Sequence, residues 1–250
     1  MLSLMMAAPM TAQRQSGNAV QTEKKLSKKE QKALEAQKAK ELAEAAAKAE
    51  AARIKSDEAA DKKAAGWVAD LKLNDPAKEA RVTAVIATHL KAVRDWHNEH
   101  AAMIPDGAFD PRTGRVYSAL DRQMIADSAI PQSVRQALMD GLNADLTEAQ
   151  VEFILDKYTV GKVEFTMNGY RSIVPNMTAE DEAFLYKNLK EARARAVHFK
   201  NMNQISAIFE IYKTINEQYF TNSGRDWHTM YKAYTDKVKA EKAAAAAKKQ

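Results

Sequence analysis

Between residues 22 and 64 the chain is built almost wholly of Ala, Lys, Glu and Gln, and its only large apolar side chains there are Leu26, Leu34, Leu42 and Ile54. Ala, Lys, Glu and Gln lose little on entering a helix, so the stretch is helical by propensity. Four apolar residues so spaced leave no continuous stripe, and the helix cannot bury enough surface to fold alone or to zip as a coiled coil. Any hydrophobic core must come from elsewhere. The end of the chain, 239–250, with its alanine run and Lys248-Lys249, has a similar composition and is expected to be a disordered basic tail. One core domain over 65–238 remains, preceded by a helix or linker over 22–64.

The same division locates the charge. The chain carries a formal net charge of +5 and has a pI near 9.1, which on its face invites a nucleic-acid partner. Residues 65–238, however, hold 21 Lys and Arg against 23 Asp and Glu, a net of −2; the ends hold the other 17 basic and 10 acidic residues, a net of +7. The basic character belongs to mixed-sign polar ends, which solvate helices, and no nucleic-acid partner is expected.

Absence of cysteine removes disulfides, thiolate metal sites and a thiol nucleophile. No apolar run approaches the roughly 20 residues that cross a bilayer, so no transmembrane span is expected. The segment 1–21 contains Leu2-Ser3-Leu4-Met5-Met6-Ala7-Ala8, then Pro9 and Ala12-Gln13. It has the composition of a remnant signal peptide, the alternative being a disordered terminus, and it predicts a periplasmic or secreted protein.

Within the core domain the periodicity is helical. Asn74-Asp75-Pro76 supplies a cap and a proline for a first turn, and Val82, Val85, Ile86, His89, Leu90, Val93 and Trp96 recur at three- and four-residue steps. A break at Ile104-Pro105-Asp106-Gly107 leads into a loop through Gly114. Short helices follow near Leu120–Ile125 and from Pro131 to about Gly141. Thr147 and Thr178 each open a further helix, with Gln150 placed to close a capping box on the first. Ile205, Ile208, Phe209, Tyr212, Ile215 and Tyr219 form one apolar face, stopped at Asn222-Ser223-Gly224, and Trp227, Tyr231 and Tyr234 line the last helix. Only 160–174 is ambiguous. Val163, Phe165 and Met167 alternate into Asn168-Gly169, a hairpin signal, whereas Val163, Met167, Tyr170 and Val174 sit at helical spacing. Helix is preferred, with one short hairpin as the alternative, because an isolated hairpin needs other surface to pack on. The expected fold is all-α: an antiparallel helical bundle with a long polar N-terminal helix.

Candidate chemistry is sparse. His97 and His100 share a helix face, but their three-residue step differs from the HExxH spacing and no third ligand follows in sequence; His89 lies more than about 10 Å back along the axis. No metal and no cofactor are therefore expected. Asp106 and Asp110 miss the calcium-loop pattern, and there is no nucleophile elbow, phosphate loop or dinucleotide fingerprint. The one internal echo is Arg94-Asp95-Trp96-His97, repeated as Arg225-Asp226-Trp227-His228. Each tryptophan either anchors core or, with its neighbours, lines a cleft where an aromatic face stacks on a sugar ring and Asp or Arg bonds its hydroxyls. On the second reading Arg94, Trp96, His97, Arg225, Trp227 and His228 are the binding residues.

The runs from Ala80 to Trp96, Leu120 to Gln123, Asp145 to Gln150, Asp156 to Thr159, Gly169-Tyr170, Val174 to Thr178 and Ala207 to Tyr219 together resemble a family of secreted bacterial proteins known only as a domain of unknown function. Its members occur in Bacteroides-type bacteria, often beside genes for polysaccharide breakdown. The resemblance covers Gly66 to Tyr234 and implies export and a setting of polysaccharide utilisation, with no catalytic residues to transfer. More distantly, Leu146-Thr147 with Gln150 is similar to the LTxxQ repeats of periplasmic helical proteins of the Spy and CpxP type; Met177-Thr178 with Asp181 departs from that pattern.

The expectation is an exported accessory protein of polysaccharide utilisation, carbohydrate binding or engaging another protein, a homodimer included. A periplasmic holdase-type chaperone is the alternative from the LTxxQ likeness. A carbohydrate-active lyase or hydrolase, using an Asp/Glu pair or His97 with Arg94 for proton transfer, is the third.

Overall fold

A computed structural model describes residues 27–247 of the 250; the signal-like segment over 1–21 lies outside the described residues. Among the described residues there are nine α-helices and no strand: α1 (Lys28–Ala69), α2 (Pro76–Glu99), α3 (Ala119–Ser128), α4 (Gln132–Asp145), α5 (Glu148–Tyr158), α6 (Lys162–Ile173), α7 (Ala179–Ala196), α8 (Met202–Asn222) and α9 (Trp227–Ala247). The fold is all-α.

The chain divides after Arg53 into two compact units. In the first, the described part of α1 is solvated all round, Leu34 and Leu42 included, as its missing stripe requires. The second begins at Ile54, earlier than the composition suggests. Ala64 and Val68 are buried, and Lys91 and Arg94 of α2 pair with Asp61 and Asp57 at 2.6 and 2.7 Å. Small alanines and polar bonds make this attachment, and neither registers as an apolar stripe. At the other end α9 continues through Ala247, so the described part of the expected disordered tail is helical, on the helix propensity of its alanines and lysines.

The helices of the second unit start where the sequence places caps. Asp75 accepts from Lys78 N ahead of Pro76, and Asn201 accepts from Gln204 N. Ser118, Thr147 and Thr178 close reciprocal boxes with Asp121, Gln150 and Asp181. Two clusters form the core. One joins Val82 and Ile86 of α2, Leu138 and Leu142 of α4, and Ile154 and Leu155 of α5 with Ala64 and Val68. The other joins Val163, Met167 and Tyr170 of α6, Leu185 and Leu189 of α7, and Ile205, Phe209 and Phe220 of α8. Connections at 174–178 and 197–201 are short, so α6, α7 and α8 pack as successive helical hairpins.

Of two local expectations one holds and one is corrected. The helix preferred over 160–174 forms as α6, with Asn168-Gly169 inside it and no hairpin, because Val163, Met167 and Tyr170 gain burial only at helical period. The strand-like pairing lies in the loop instead, as an isolated bridge between Phe109 and Val116. Nor does α4 end at Gly141. A Cβ there would stand 2.6 and 2.7 Å from the two Cγ atoms of Val85, so the glycine is a close-approach point of α2 on α4 rather than a stop.

Candidate functional site

The two echoing tetrapeptides are spent differently and are not brought together. Arg94 is held by Asp57 and Asp95, each at 2.7 Å, and by Ser56 Oγ at 3.0 Å. Trp96 donates from Nε1 to the Ala126 carbonyl at 3.0 Å and stacks on His100 at 3.7 Å. His97 Nδ1 meets the buried Asp127 carboxylate at 2.6 Å. All three bind α2 to α1 or α3. Among the described residues no three His, Asp or Glu side chains are placed to hold a metal ion.

In the second copy Arg225 pairs with Asp181 and lies over the Phe220 ring, with its Cζ 4.9 Å from the centroid, and Asp226 caps α9 through the Thr229 amide at 2.9 Å. His228 is exposed. Trp227 alone meets both descriptions. It packs on Tyr170 and Phe220, and it also lines a groove.

That groove, about 660 Å³, runs between α6, α8 and α9. Its walls are aromatic. Tyr170 and Phe209 form part of the floor, Trp227, Tyr231 and Tyr234 come from successive turns of α9, and Phe165 faces them from α6. Phe165 is 78% exposed and Tyr231 48% exposed, and the Trp227 and Tyr231 rings lie 6.0 Å apart at 25°. The polar groups are Asn168, Thr166 and Ser172 on α6 with Lys162, and Glu210, Lys213 and Glu217 on α8. Glu210 is paired with Lys213 at 2.9 Å. Glu217 is half-buried, and its carboxylate makes no hydrogen bond or ion pair with any described residue; burial raises its pKa, against the opposing charge of Lys213 and with a smaller push from Glu210. An unpaired carboxyl beside exposed ring faces is a hydrogen-bonding group waiting for a partner.

A larger cleft, about 880 Å³, lies between α5, the Ile54–Ala69 part of α1, α2 and the start of α8. Its residues include Trp67, Tyr158, Phe153, Lys63, Arg94, Lys157 and Lys200. Most of these cations are already engaged: Arg94 as above, Lys157 with Asp70 at 2.7 Å, Lys200 with Asn98 at 2.7 Å, and Lys63 over the Trp67 ring. Such pairing is what holds the helices together, and it leaves the cleft less charge to offer a ligand.

Sequence reasoning reached Trp227 but missed Phe165, Tyr231 and Glu217 as site residues. Phe165 had a readable signal: it falls off the Val163–Met167–Tyr170 stripe, which leaves a large aromatic on the solvent face of α6.

The family model described as "Protein of unknown function (DUF3826)" matches residues 55–240. No curated protein matches the sequence. The chain belongs to the DUF3826 family.

Proposed function

We propose that this DUF3826 protein binds carbohydrate in the aromatic groove between α6, α8 and α9. The observation that carries the reading is the unpaired Glu217 carboxyl in a groove lined by exposed Phe165 and Tyr231 and half-buried Trp227. Saccharides present apolar C–H faces and rings of hydroxyls, so a site for them needs flat aromatic surface and a few fixed acceptors and donors. Asn168 and Glu217 supply the polar groups here, and α9 repeats a ring every three or four residues. In this reading the protein is an exported accessory of polysaccharide utilisation.

Calorimetry with a panel of neutral and acidic plant and microbial oligosaccharides tests it. At least one should bind, and Phe165→Ala and Tyr231→Ala, both of exposed rings, should each weaken it about tenfold, the loss of one stacking contact of about 1.4 kcal/mol. Absence of heat with the whole panel ends the reading.

A second reading places catalysis in the same groove. Its support is the presence on α8 of two carboxyls in different settings, Glu217 half-buried and raised and Glu210 salt-bridged to Lys213, the kind of pair that acid–base glycan cleavage uses. Product release from a bound oligosaccharide, abolished in Glu217→Gln with binding retained, distinguishes it from binding alone.

A further inference from the structure

A smaller cavity of about 250 Å³ lies between the end of α3, the start of α4, the end of α7 and α8, lined by other residues than the aromatic groove. Arg135 of α4 and Arg195 of α7 line it, with His198, Asp127 and the apolar Ile208. Arg195 is paired with Glu191 at 2.9 Å, but Arg135, exposed at the rim, makes no hydrogen bond or ion pair with any described residue. Asp127 is the one carboxylate on the wall. Its Oδ2 is already engaged from the protein side by His97 Nδ1 and Gln204 Nε2, both at 2.6 Å.

His198 completes the arrangement. Its Nδ1 lies 3.4 Å from Nε2 of the buried His89, and its own Nε2 is buried with no partner among the described residues. A buried polar atom left without a partner costs on the order of 1–3 kcal/mol, and a ligand that fills the gap recovers it. In the tautomer where His89 donates from Nε2 to His198 Nδ1, the His198 proton stands on Nε2 as a donor, and an oxyanion at that atom selects this tautomer over its reverse. An unpaired guanidinium and an imidazole N–H on one small cavity are the donors that a planar or tetrahedral oxyanion takes up.

We infer that this cavity binds a small oxyanion, a carboxylate or phosphate group on a molecule no larger than a monosaccharide, held by Arg135 and His198. Its size is below that of pockets for larger ligands. Hydroxyls on the same molecule have Asp127 as an acceptor, and the Ile208 and Phe199 side chains bound the apolar side. The inference stands independently of the aromatic groove.

Histidine-detected NMR on the full chain at neutral pH, at constant ionic strength, tests it with three probes: inorganic phosphate, glucuronate and glucose. Saturable shifts of the His198 resonance are expected with phosphate or glucuronate up to about 10 mM, the range of a millimolar site. Whichever of the two anions binds identifies the source of the oxyanion. Arg135→Gln, at an exposed position that leaves the fold intact, should weaken binding at least tenfold, and bound anion should raise the titration midpoint of His198. The inference is overturned if neither anion shifts His198, if glucose shifts it equally, or if Arg135→Gln binds as the parent does.

Discussion

Arg225 grips Asp181 with both terminal nitrogens, Nη1 to Oδ2 at 2.7 Å and Nη2 to Oδ1 at 2.6 Å, across the junction between α7 and the turn before α9. The same carboxylate closes the capping box of α7 through Thr178 N and receives the Tyr219 hydroxyl at 2.9 Å. Asp181 is 1% exposed, and the Arg225 guanidinium, with the other donors, holds its carboxyl well below the usual carboxylate range. One residue thus completes the capping box of α7 and positions the first turn of α9, where Trp227 enters the groove. The departure from glutamine at this box is what makes the second role available, because an amide cannot anchor a guanidinium as a carboxylate does.

Asp181→Ala removes the reciprocal half of the capping box, leaving Thr178 as N-cap, and strips Arg225 of its counter-ion; it should cost about 2–3 kcal/mol, less than a fully buried pair because Arg225 is partly exposed. Asp181→Asn keeps a capping oxygen and should cost less. Urea denaturation of the two variants measures both, and a ranking with Asn worse than Ala would contradict the assignment.

Stability should fall on mild acidification. Burial, and then His198, lower His89 to about 3; burial, and then Arg135, lower His198 to about 4. Both folded values lie below the unfolded value of about 6.5, so the folded state binds fewer protons. The stability these neutral rings contribute is complete above pH of about 6.5 and is lost as pH falls towards 4 and then 3. His89 accounts for about 1.4 kcal/mol per pH unit inside that window, and partly exposed His198 for less. Chemical denaturation across the window checks this, and His89→Gln should flatten the dependence.

Gly141→Ala sets a helix-propensity gain of about 1 kcal/mol against a clash with Val85, whose β-branched side chain has little freedom to move aside. Overpacking should win, with a net loss of about 1–2 kcal/mol. Combining it with Val85→Ala should recover most of that loss beyond additivity, a coupling that a double-mutant cycle reads directly.

Val160 has φ of +55° at the turn joining α5 to α6 and is 71% exposed. A β-branched residue is strained in that region and here gains no packing in return. Val160→Gly should stabilise the protein by about 1 kcal/mol, measured as a raised Tm; a lowered Tm would mean the side chain has a contact role at the neighbouring cleft.

Much of this architecture was legible because it rests on local chemistry. Thr147, Thr178 and Asp75-Pro76 mark helix starts through bonds within four residues, and the buried stripes of α2, α5 and α8 follow from period alone. At Asn168-Gly169 the helical spacing of Val163, Met167 and Tyr170 outweighs the turn chemistry, as their period indicates. What local reading missed depends on partners far along the chain. Gly141 has the look of a helix stop until Val85 is seen against it. The groove is assembled from Phe165, Glu217 and Tyr231, which no spacing links and which only the packing of α9 on α6 and α8 brings together.

The most direct measurement is the fluorescence of Trp227. With Trp67 and Trp96 each replaced by phenylalanine, it is the sole remaining tryptophan of the three. Titration with the oligosaccharide that gives heat in calorimetry should change its emission saturably, at the calorimetric affinity, and Tyr231→Ala should shift that curve about tenfold. Binding that leaves Trp227 emission unchanged and is indifferent to Tyr231→Ala would contradict the groove as the site.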